Sequence, residues 1–491
     1  MTDDKRVVVI GSGPGGAAAA VFLERAGMDV LVLEAGPERS ELGLTLRLRG
    51  MTVAKHRRAL QQRPGVARTL DQSAQLNEEL APGGLSNHWS CAVPRFSDDD
   101  FRDAERAGEE WKWPLGYADL APWYDRVEPL LHIAGPTSSV PQLPAGKVRD
   151  ARRLDSDWQA MVSFAEREGR SIVPMPYAYG AESTVTFSGT VFNAYVRLLK
   201  PLLRAGRVKA RYCSRAIRLE WSSAKRRVEA VVIRDPRTGA EDRIPCRAVV
   251  VAAGAINSAE VLLRSSSADF PDGLGNTHGV LGRYLHDHPL GKLVIDLAEK
   301  VSIHPASYVT RLSLERSAPL YAAAGMQWSG AAIYAKSLLR RTPGRSSEIG
   351  FSVFGTMMPT RDNWVALDKS GDGIGLELHV GRLPESIAVL EQARAQILEL
   401  LRSAGLDPRE RVWKLEAPGN SNHYGGTCRM HASPEFGMLN AFSRMHSVPN
   451  VVVADSSAFT TGPEKNPVLT SMALSARGAD HLAQDLKSGD L

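Results

Sequence analysis

The chain has 491 residues, 43% of them hydrophobic and 23% charged, which is typical of a globular protein of two or three domains. Its 60 basic and 55 acidic residues leave a formal charge of +5. The short arginine runs lack interleaved aromatic residues, so nucleic-acid binding is not expected. Its 4 cysteines form no CxxC pair, which argues against a zinc ribbon or a disulfide framework. No signal-peptide pattern or apolar run of about 18 residues occurs, which predicts a cytoplasmic protein without a membrane span.

The first elements predict a strand, a helix and a second strand. Val7–Ile10 is a β-branched apolar run, Ala17–Ala26 is rich in helix-forming residues, and Asp29–Leu33 is apolar again. Glu34 follows the second strand at the spacing of an acid that binds a ribose. A carboxylate there disfavours NADP, and FAD and NAD both stay open at this point.

The loop between the first strand and the helix has the pattern G-x-G-x-x-G. We expect its first glycine to allow a tight turn, its second to admit a pyrophosphate, and its third to let helix and strand pack closely. The N-terminus of the helix offers unpaired N–H groups to the phosphates. The predicted cofactor-binding residues of this loop are Gly11, Gly13, Pro14 and Gly16.

A second glycine-containing loop reads Gly83-Gly84-Leu85-Ser86-Asn87-His88-Trp89-Ser90, followed by Cys91-Ala92-Val93-Pro94. It resembles the flavin loop of the pyranose oxidase and C-glycoside 3-oxidase type of glucose–methanol–choline (GMC) oxidoreductases. The resemblance implies FAD as cofactor, a histidine that can carry it covalently, and a hydroxyl residue near flavin N5. The residues implied are Gly84, Ser86, Asn87, His88 and Ser90, the last in place of the usual threonine.

The middle of the chain predicts a strand meander that ends in a buried strand and a helix. The small-residue turn after this strand, at Ala253 and Gly254, resembles the family's contact with the ADP half of FAD. Farther on, His286, Asp287 and His288 are three ligand-type residues in a row, but adjacent side chains diverge. No metal site is predicted there, and a similar family segment implies a structural role.

Residues 290–415 predict a second, antiparallel sheet and a helix over Leu383–Leu401. The predicted fold class is α/β, α+β overall: a Rossmann-like FAD-binding domain with a discontinuous substrate domain on the antiparallel sheet. We assign residues 1–100, 190–289 and 416–491 to the FAD-binding domain. Residues 101–189 and 290–415 are assigned to the substrate domain.

The last region combines Ser421-Asn422-His423-Tyr424-Gly425-Gly426-Thr427, a valine strand ending at Asp455, and Asn466-Pro467-Val468 at a helix start. Asn466 is predicted as the N-cap, and the helix N-terminus as a donor to the flavin pyrimidine. The region resembles the C-terminal GMC pattern, which implies His423 and Asn466 as the catalytic pair. It adds Asp455, Pro467 and Val468 to the cofactor site.

The resemblance implies oxidation of a sugar or glycoside hydroxyl to a carbonyl, with His423 as general base and O2 or a quinone-type acceptor reoxidising FAD. An oxidase of an aminoglycoside or another natural-product alcohol is an alternative. A flavin-containing hydroxynitrile-type lyase and an NAD-dependent reductase are alternatives of other classes. The expected partner is a small molecule, and the sequence leaves the oligomeric state open.

Overall fold

The computed structural model describes residues 6–39, 58–59, 66–69, 74, 76–154, 156–167, 169, 171–178, 192–302, 307–309, 324–329, 345–368, 375–381 and 384–491. The α-helices are α1 (Pro14–Arg25), α2 (Asp98–Arg102), α3 (Tyr117–Leu131), α4 (Gln159–Arg167), α5 (Lys200–Arg204), α6 (Ala255–Leu263), α7 (Pro384–Ser403) and α8 (Val468–Ser488). A π-helical turn, Tyr195–Leu199, precedes α5.

The strands in the first half of the chain are β1 (Arg6–Ile10), β2 (Asp29–Leu33), β3 (Arg58–Ala59), β4 (Val66–Thr69), β5 (Asn77–Glu78), β6 (Ile133–Gly135), β7 (Asp150–Ala151), β8 (Ile172–Pro174), β9 (Tyr177–Ala178), β10 (Lys209–Arg211), β11 (Arg215–Ser222), β12 (Arg227–Arg234), β13 (Glu241–Pro245) and β14 (Ala248–Val251). Those in the second half are β15 (Leu290–Ser302), β16 (Ser307–Val309), β17 (Ala324–Ser329), β18 (Arg345–Gly355), β19 (Trp364–Leu367), β20 (Leu376–His379), β21 (Arg409–Leu415) and β22 (Val451–Val453).

A parallel sheet forms the core of the nucleotide-binding half, in the order β10-β2-β1-β14-β22. Its central strands are almost wholly valine, isoleucine and leucine because both faces are covered. The chain passes from β1 outward to β2 on one side and later returns to β14 on the other. The carboxyl ends of β1 and β14 therefore flank a topological switch point, where open parallel sheets bind ligands.

The other large sheet is predominantly antiparallel and six-stranded, in the order β21-β15-β18-β17-β16-β8. Helix α7 packs one apolar face against it, with Leu390, Ile397 and Leu401 among its buried residues. This helix and sheet confirm the α/β fold with an added antiparallel sheet. The assignment of the chain segments to two domains stays a prediction.

Several predicted boundaries differ from the structure. The first helix begins at Pro14, three residues before Ala17, because proline suits the first turn of a helix. The sequence around Val53–Gln62 predicts helical stretches, which is wrong at Arg58–Ala59, because these residues form β3 and pair with β5. The other residues of that stretch lie outside the described part. The amphipathic pattern of Phe192–Ala205 predicts one helix, whereas the structure has the π-helical turn followed by α5.

Candidate active site

The glycine loop after β1 has the geometry expected of a phosphate cradle. Gly11 has a φ of +100°, which glycine adopts readily, and a Cβ there would lie 2.4 Å from the carbonyl oxygen of Ala252. A Cβ on Gly16 would lie 2.1 Å from the Gly11 carbonyl oxygen, so helix and loop touch. A Cβ on Gly13, in contrast, would meet its nearest atom only at 4.0 Å. Gly13 therefore borders space that the described residues leave open.

The N-terminus of α1 points at this space without a side-chain cap. The N-cap residue, Gly13, has no side chain that could accept hydrogen bonds from the first N–H groups of the helix. Pro14 occupies the first turn, and that turn contains no acidic residue. The free N–H groups and the positive end of the helix dipole are suited to an anion such as a pyrophosphate.

Glu34 lies at the carboxyl end of β2, as the sequence predicts, and is 5% exposed. One carboxylate oxygen accepts a hydrogen bond from the Ser12 hydroxyl, and the other accepts one from the Gly36 backbone at 2.8 Å. Burial raises its pKa, although these two hydrogen bonds lower it. A carboxylate has about four acceptor positions, so capacity remains for ribose hydroxyls.

The turns after β14 and β22 are joined through Asp455. Its carboxylate accepts hydrogen bonds from the Gly254 backbone at 2.9 Å, the Ser258 hydroxyl at 2.6 Å and the Ser457 backbone at 2.8 Å. Ala253 N donates to Ser258 Oγ at 3.0 Å. The Asp455 side chain is therefore occupied in holding these turns at the carboxyl edge of the sheet, and its predicted hydrogen bond to the cofactor stays a prediction.

The Gly83–Ser90 loop lies against the glycine loop, since Gly83 N donates to the Ser12 hydroxyl at 3.0 Å. Its side chains mostly brace the loop itself. Ser86 Oγ donates to Gly83 O at 2.6 Å, and Asn87 Nδ2 donates to Gly84 O at 2.8 Å. Ser90, by contrast, is exposed. The contacts of Ser86 and Asn87 thus fix the backbone of this loop beside the glycine loop.

His88 is 10% exposed in its side chain, and its Nε2 lies 2.7 Å from a carboxylate oxygen of Glu79, which is 2% exposed. His88 Nδ1 is buried with no hydrogen-bond partner among the described residues. The Glu79 carboxylate fixes the orientation of the His88 ring. Sequence reasoning missed Glu79.

His423 and Asn466, predicted as a pair from distant motifs, are brought together. Asn466 Nδ2 lies 3.3 Å from His423 Nε2. An amide N–H that donates to Nε2 leaves the proton of a neutral imidazole on Nδ1, which is buried with no partner in the described part of the chain. The nitrogen that faces Asn466 is therefore the one with the basic lone pair.

Two further rings surround His423. Those of His288 and Phe354 lie at centroid distances of 5.0 Å and 5.3 Å, and the two imidazoles are perpendicular at 87°. Burial, with a smaller contribution from His288, lowers the pKa of His423 well below its usual value. Burial also lowers the pKa of His288 to about 4. Both imidazoles are thus neutral near pH 7.

The residues beneath the site are tightly packed. His286 pairs with Gly425 through two backbone hydrogen bonds of 3.0 Å and 3.1 Å, which sets the following residues, Asp287 and His288, against His423. The predicted absence of a metal site stays a prediction here, and within the described residues no cluster of three metal-ligating side chains occurs.

Asn466 is not the N-cap of the last helix, which corrects the prediction. The helix begins at Val468 with Pro467 at the N-cap and no side-chain hydrogen bond there. Asn466 is directed to His423 instead. It follows Lys465, which is fully buried and paired with Asp100 at 2.6 Å and Glu464 at 3.2 Å.

These features fit FAD. An uncapped helix N-terminus and open space at Gly13 suit the pyrophosphate, and Glu34 retains acceptor capacity for a ribose. The chain from Asn77 to Ser90 joins the two ends of this site, because Gly83 bonds to Ser12 and Asn77 Nδ2 bonds to Asn422 Oδ1 at 2.8 Å.

Two family profiles match the chain. Residues 359–475 match the profile described as GMC oxidoreductase, and residues 6–316 match the one described as FAD binding domain. The chain belongs to the GMC oxidoreductases. It is an FAD-dependent oxidoreductase acting on CH–OH groups, which confirms the predicted family, cofactor and class of enzyme.

Characterised GMC relatives align over most of their length. The chain is 28% identical to 2-methyl-1,2-propanediol dehydrogenase of Mycolicibacterium austroafricanum, over 98% of this chain and 96% of that protein. It is 28% identical to paromamine 6'-oxidase of Streptomyces fradiae, over 99% of this chain and 93% of that protein. It is 25% identical to C-glycoside 3-oxidase of Microbacterium trichothecenolyticum, over 82% and 75%.

Among solved structures, pyridoxine 4-oxidase from Mesorbium loti superposes with a TM-score of 0.67, over 97% of this chain and 98% of that chain. At 16% sequence identity this likeness concerns the fold. Among the described helices of this GMC oxidoreductase, none has the length and apolarity needed to cross a membrane.

Proposed function

We infer that this GMC oxidoreductase oxidises a hydroxyl of a sugar or glycoside to a carbonyl, with His423 as general base. The observation that carries this proposal is the 3.3 Å contact between His423 Nε2 and Asn466 Nδ2 in a buried ring cluster. Bound FAD would accept the hydride from the substrate carbon and be reoxidised by O2 or a quinone-type acceptor.

The residues of the chain have separate tasks in this reaction. A neutral His423 removes the hydroxyl proton at Nε2, and the Asn466 amide holds the substrate oxygen beside it. The helix N-terminus after Pro467 directs free N–H groups and positive potential toward the site, which favours negative charge there. We propose Gly11, Gly13, Pro14, Gly16 and Glu34 as the nucleotide contacts and His88 as the point of covalent attachment. The further cofactor contacts that we propose are Gly84, Ser86, Asn87, Ser90, Ala253, Gly254, Asp455, Asn466, Pro467 and Val468.

An aminoglycoside is the second candidate substrate, because one of the relatives is named a paromamine 6'-oxidase. Its amino groups would require acidic residues at the mouth of the site. A neutral glycoside needs only hydrogen-bonding groups. The two candidates therefore predict different effects of salt on KM. High ionic strength should raise KM strongly for the polycationic aminoglycoside, because salt screens its attraction to acidic residues, and should change KM little for a neutral glycoside.

The test is an anaerobic screen of flavin reduction with glucose, a methyl glucoside, paromamine and 2-methyl-1,2-propanediol. We expect a sugar-type substrate to bleach the oxidised-flavin absorbance, and we expect the His423→Ala variant to bleach at least about a hundredfold more slowly. Bleaching by the simple diol alone would contradict the sugar proposal. A substrate turned over without bleaching would favour lyase chemistry, and an unchanged rate in His423→Ala would remove His423 from the mechanism.

A further inference from the structure

A single buried carboxylate holds the turn that carries His423. Asp287, 4% exposed, accepts hydrogen bonds from the backbone N–H of Ser421 at 3.1 Å and from that of His423 at 2.7 Å. It also accepts one from the Ser421 hydroxyl. The donors thus lie on both sides of Asn422.

Asn422, between these donors, has a φ of +61°, in the left-handed region that residues other than glycine rarely adopt. Such a conformation persists only where surrounding contacts fix it. The Asp287 carboxylate supplies contacts to both neighbours, and Asn77 Nδ2 bonds to the Asn422 side chain at 2.8 Å. If the carboxylate stopped accepting, the turn would lose the bonds that define the direction of His423.

We propose that Asp287 is a positioning residue: its ionised carboxylate fixes the 421–423 turn and so places the His423 imidazole against Asn466. This inference rests on the proposed role of His423 as the base. Asp287 acts through the backbone of the turn, and a displacement of about 1 Å at a reacting group can cost about a hundredfold in rate.

A small cavity beside the Asp287 carboxylate has room for a further hydrogen-bond partner of that carboxylate. The cavity has a volume of about 10 Å³ and is lined by Asp287, His288 and Ser386 together with apolar Met357 and Val380. The Ser386 hydroxyl is buried and has no partner among the described residues. This space suits one water molecule bonded to both polar groups. Because Ser386 lies in the first turn of α7, a water bound there would connect the carboxylate to the helix on the antiparallel sheet.

The same geometry has a consequence for pH. Burial raises the pKa of Asp287 to about 6, while its hydrogen bonds from Ser421 and His423 lower it. The titratable side chains around it are His288 and His423, with Glu464 beyond His288, and both imidazoles are neutral near pH 6 because burial lowers their pKa values. As the pH falls through about 6, Asp287 takes up a proton and gives up acceptor capacity for the turn. Turnover therefore falls on the acid side because the turn is released, before His423 is protonated.

The experiment compares Asp287→Asn and Ser421→Ala holoenzymes with the wild type, measuring kcat, KM, bound FAD and the pH profile of kcat/KM. In Asp287→Asn an amide N–H faces a backbone N–H, so we expect kcat to fall about a hundredfold, with bound FAD retained and the acid limb near pH 6 lost. In Ser421→Ala we expect the acid limb to move to higher pH, because the lost donor had lowered the pKa of Asp287.

The matched control is Glu128→Gln, which neutralises a carboxylate as buried as Asp287 that pairs with Arg95 at 2.6 Å in another part of the fold. We expect it to lower thermal stability while leaving the acid limb in place. If Asp287→Asn does not fold, Ser421→Ala carries the test by itself.

Wild-type kcat in Asp287→Asn, or an acid limb that Ser421→Ala leaves unmoved, would overturn the positioning role. A variant that loses rate only in proportion to lost FAD would overturn it as well. Wild-type turnover in His423→Ala is the separate result that would overturn the proposed function instead.

Discussion

His423 is kept uncharged by its surroundings. The half-buried His423 ring packs against the buried rings of His288 and Phe354, and the perpendicular His288 ring disfavours a positive charge beside it. A neutral imidazole is the form that can accept a proton, so the surroundings of His423 favour the protonation state that its proposed role as base requires.

The two ring nitrogens of His88 have different surroundings. Nε2 is paired with Glu79 at 2.7 Å, whereas Nδ1 is buried and has no partner in the described part of the chain. We therefore propose Nδ1 as the nitrogen that would form the covalent bond to the cofactor. We expect acid precipitation to leave the yellow colour in the wild-type pellet and in the His423→Ala pellet. In His88→Ala we expect the colour in the supernatant, measured by absorbance of both fractions. Colour released from the wild type would show that FAD is held without a covalent bond.

At the scale of elements, two glycines of the loop after β1 serve different purposes: Gly16 allows close packing of the protein, and Gly13 leaves room for a ligand. Gly16 is needed by the protein, because a Cβ there would lie 2.1 Å from the backbone oxygen of Gly11. Gly13 has an ordinary φ of −67° and open space before it, so its lack of a side chain benefits only a ligand. The two glycines thus allow the fold and the cofactor to be tested apart.

We expect Gly13→Ala to fold with the stability of the wild-type apoprotein and to lose affinity for FAD, because the added methyl enters the phosphate space. Gly16→Ala should be less stable by about 1–3 kcal/mol or more even without FAD, because the methyl overlaps backbone. Thermal unfolding of the apoproteins and the ratio of flavin to protein absorbance measure the two effects. Equal stability losses in both variants would contradict this division.

At the scale of the whole molecule, the fold buries imidazoles in their neutral form. Burial lowers the pKa of His286 to about 3 and that of His288 to about 4, and the pKa of His423 is lowered as well. In the unfolded chain these groups take up protons near pH 6.5. Between that pH and the folded-state pKa values the unfolded state binds more protons, so stability rises with pH there.

We therefore expect the free energy of unfolding to fall by a few kcal/mol as the pH drops from about 7 to about 4. Asp287 opposes part of this loss between about pH 4 and its own pKa of about 6, because the folded state binds the extra proton there. Urea unfolding followed by tryptophan fluorescence at several pH values gives the slope. Stability that is unchanged or increases toward pH 4 would contradict the neutral burial of these histidines.

The nucleotide half could be predicted from sequence because its signals are local. Val7–Ile10 and Val30–Leu33 are uninterrupted apolar runs, and few structures other than a phosphate-binding turn require the glycine spacing between them. The pairing of His423 with Asn466 came from resemblance, and the structure brings the two side chains into contact.

The support of the site could not be predicted in the same way. Asp287 and Glu79 act on His423 and His88 through contacts that depend on register, such as the bridge between His286 and Gly425. Nothing local distinguishes an aspartate that holds a turn from one that faces solvent. Asn466 also shows this limit, because asparagine before a proline suits an N-cap locally, and a contact with a distant histidine prevailed.

The order of strands in the parallel sheet has a consequence for biosynthesis. Residues near position 10 pair with residues near 250, and these pair with residues near 450. A Cβ on Gly15 would lie 1.9 Å from the carbonyl oxygen of Ala454, just after β22, so α1 closes directly onto the last strand. The nucleotide cradle is thus complete only after the segment around residue 454 has left the ribosome. We therefore expect FAD to load only after that segment has been synthesised and folded.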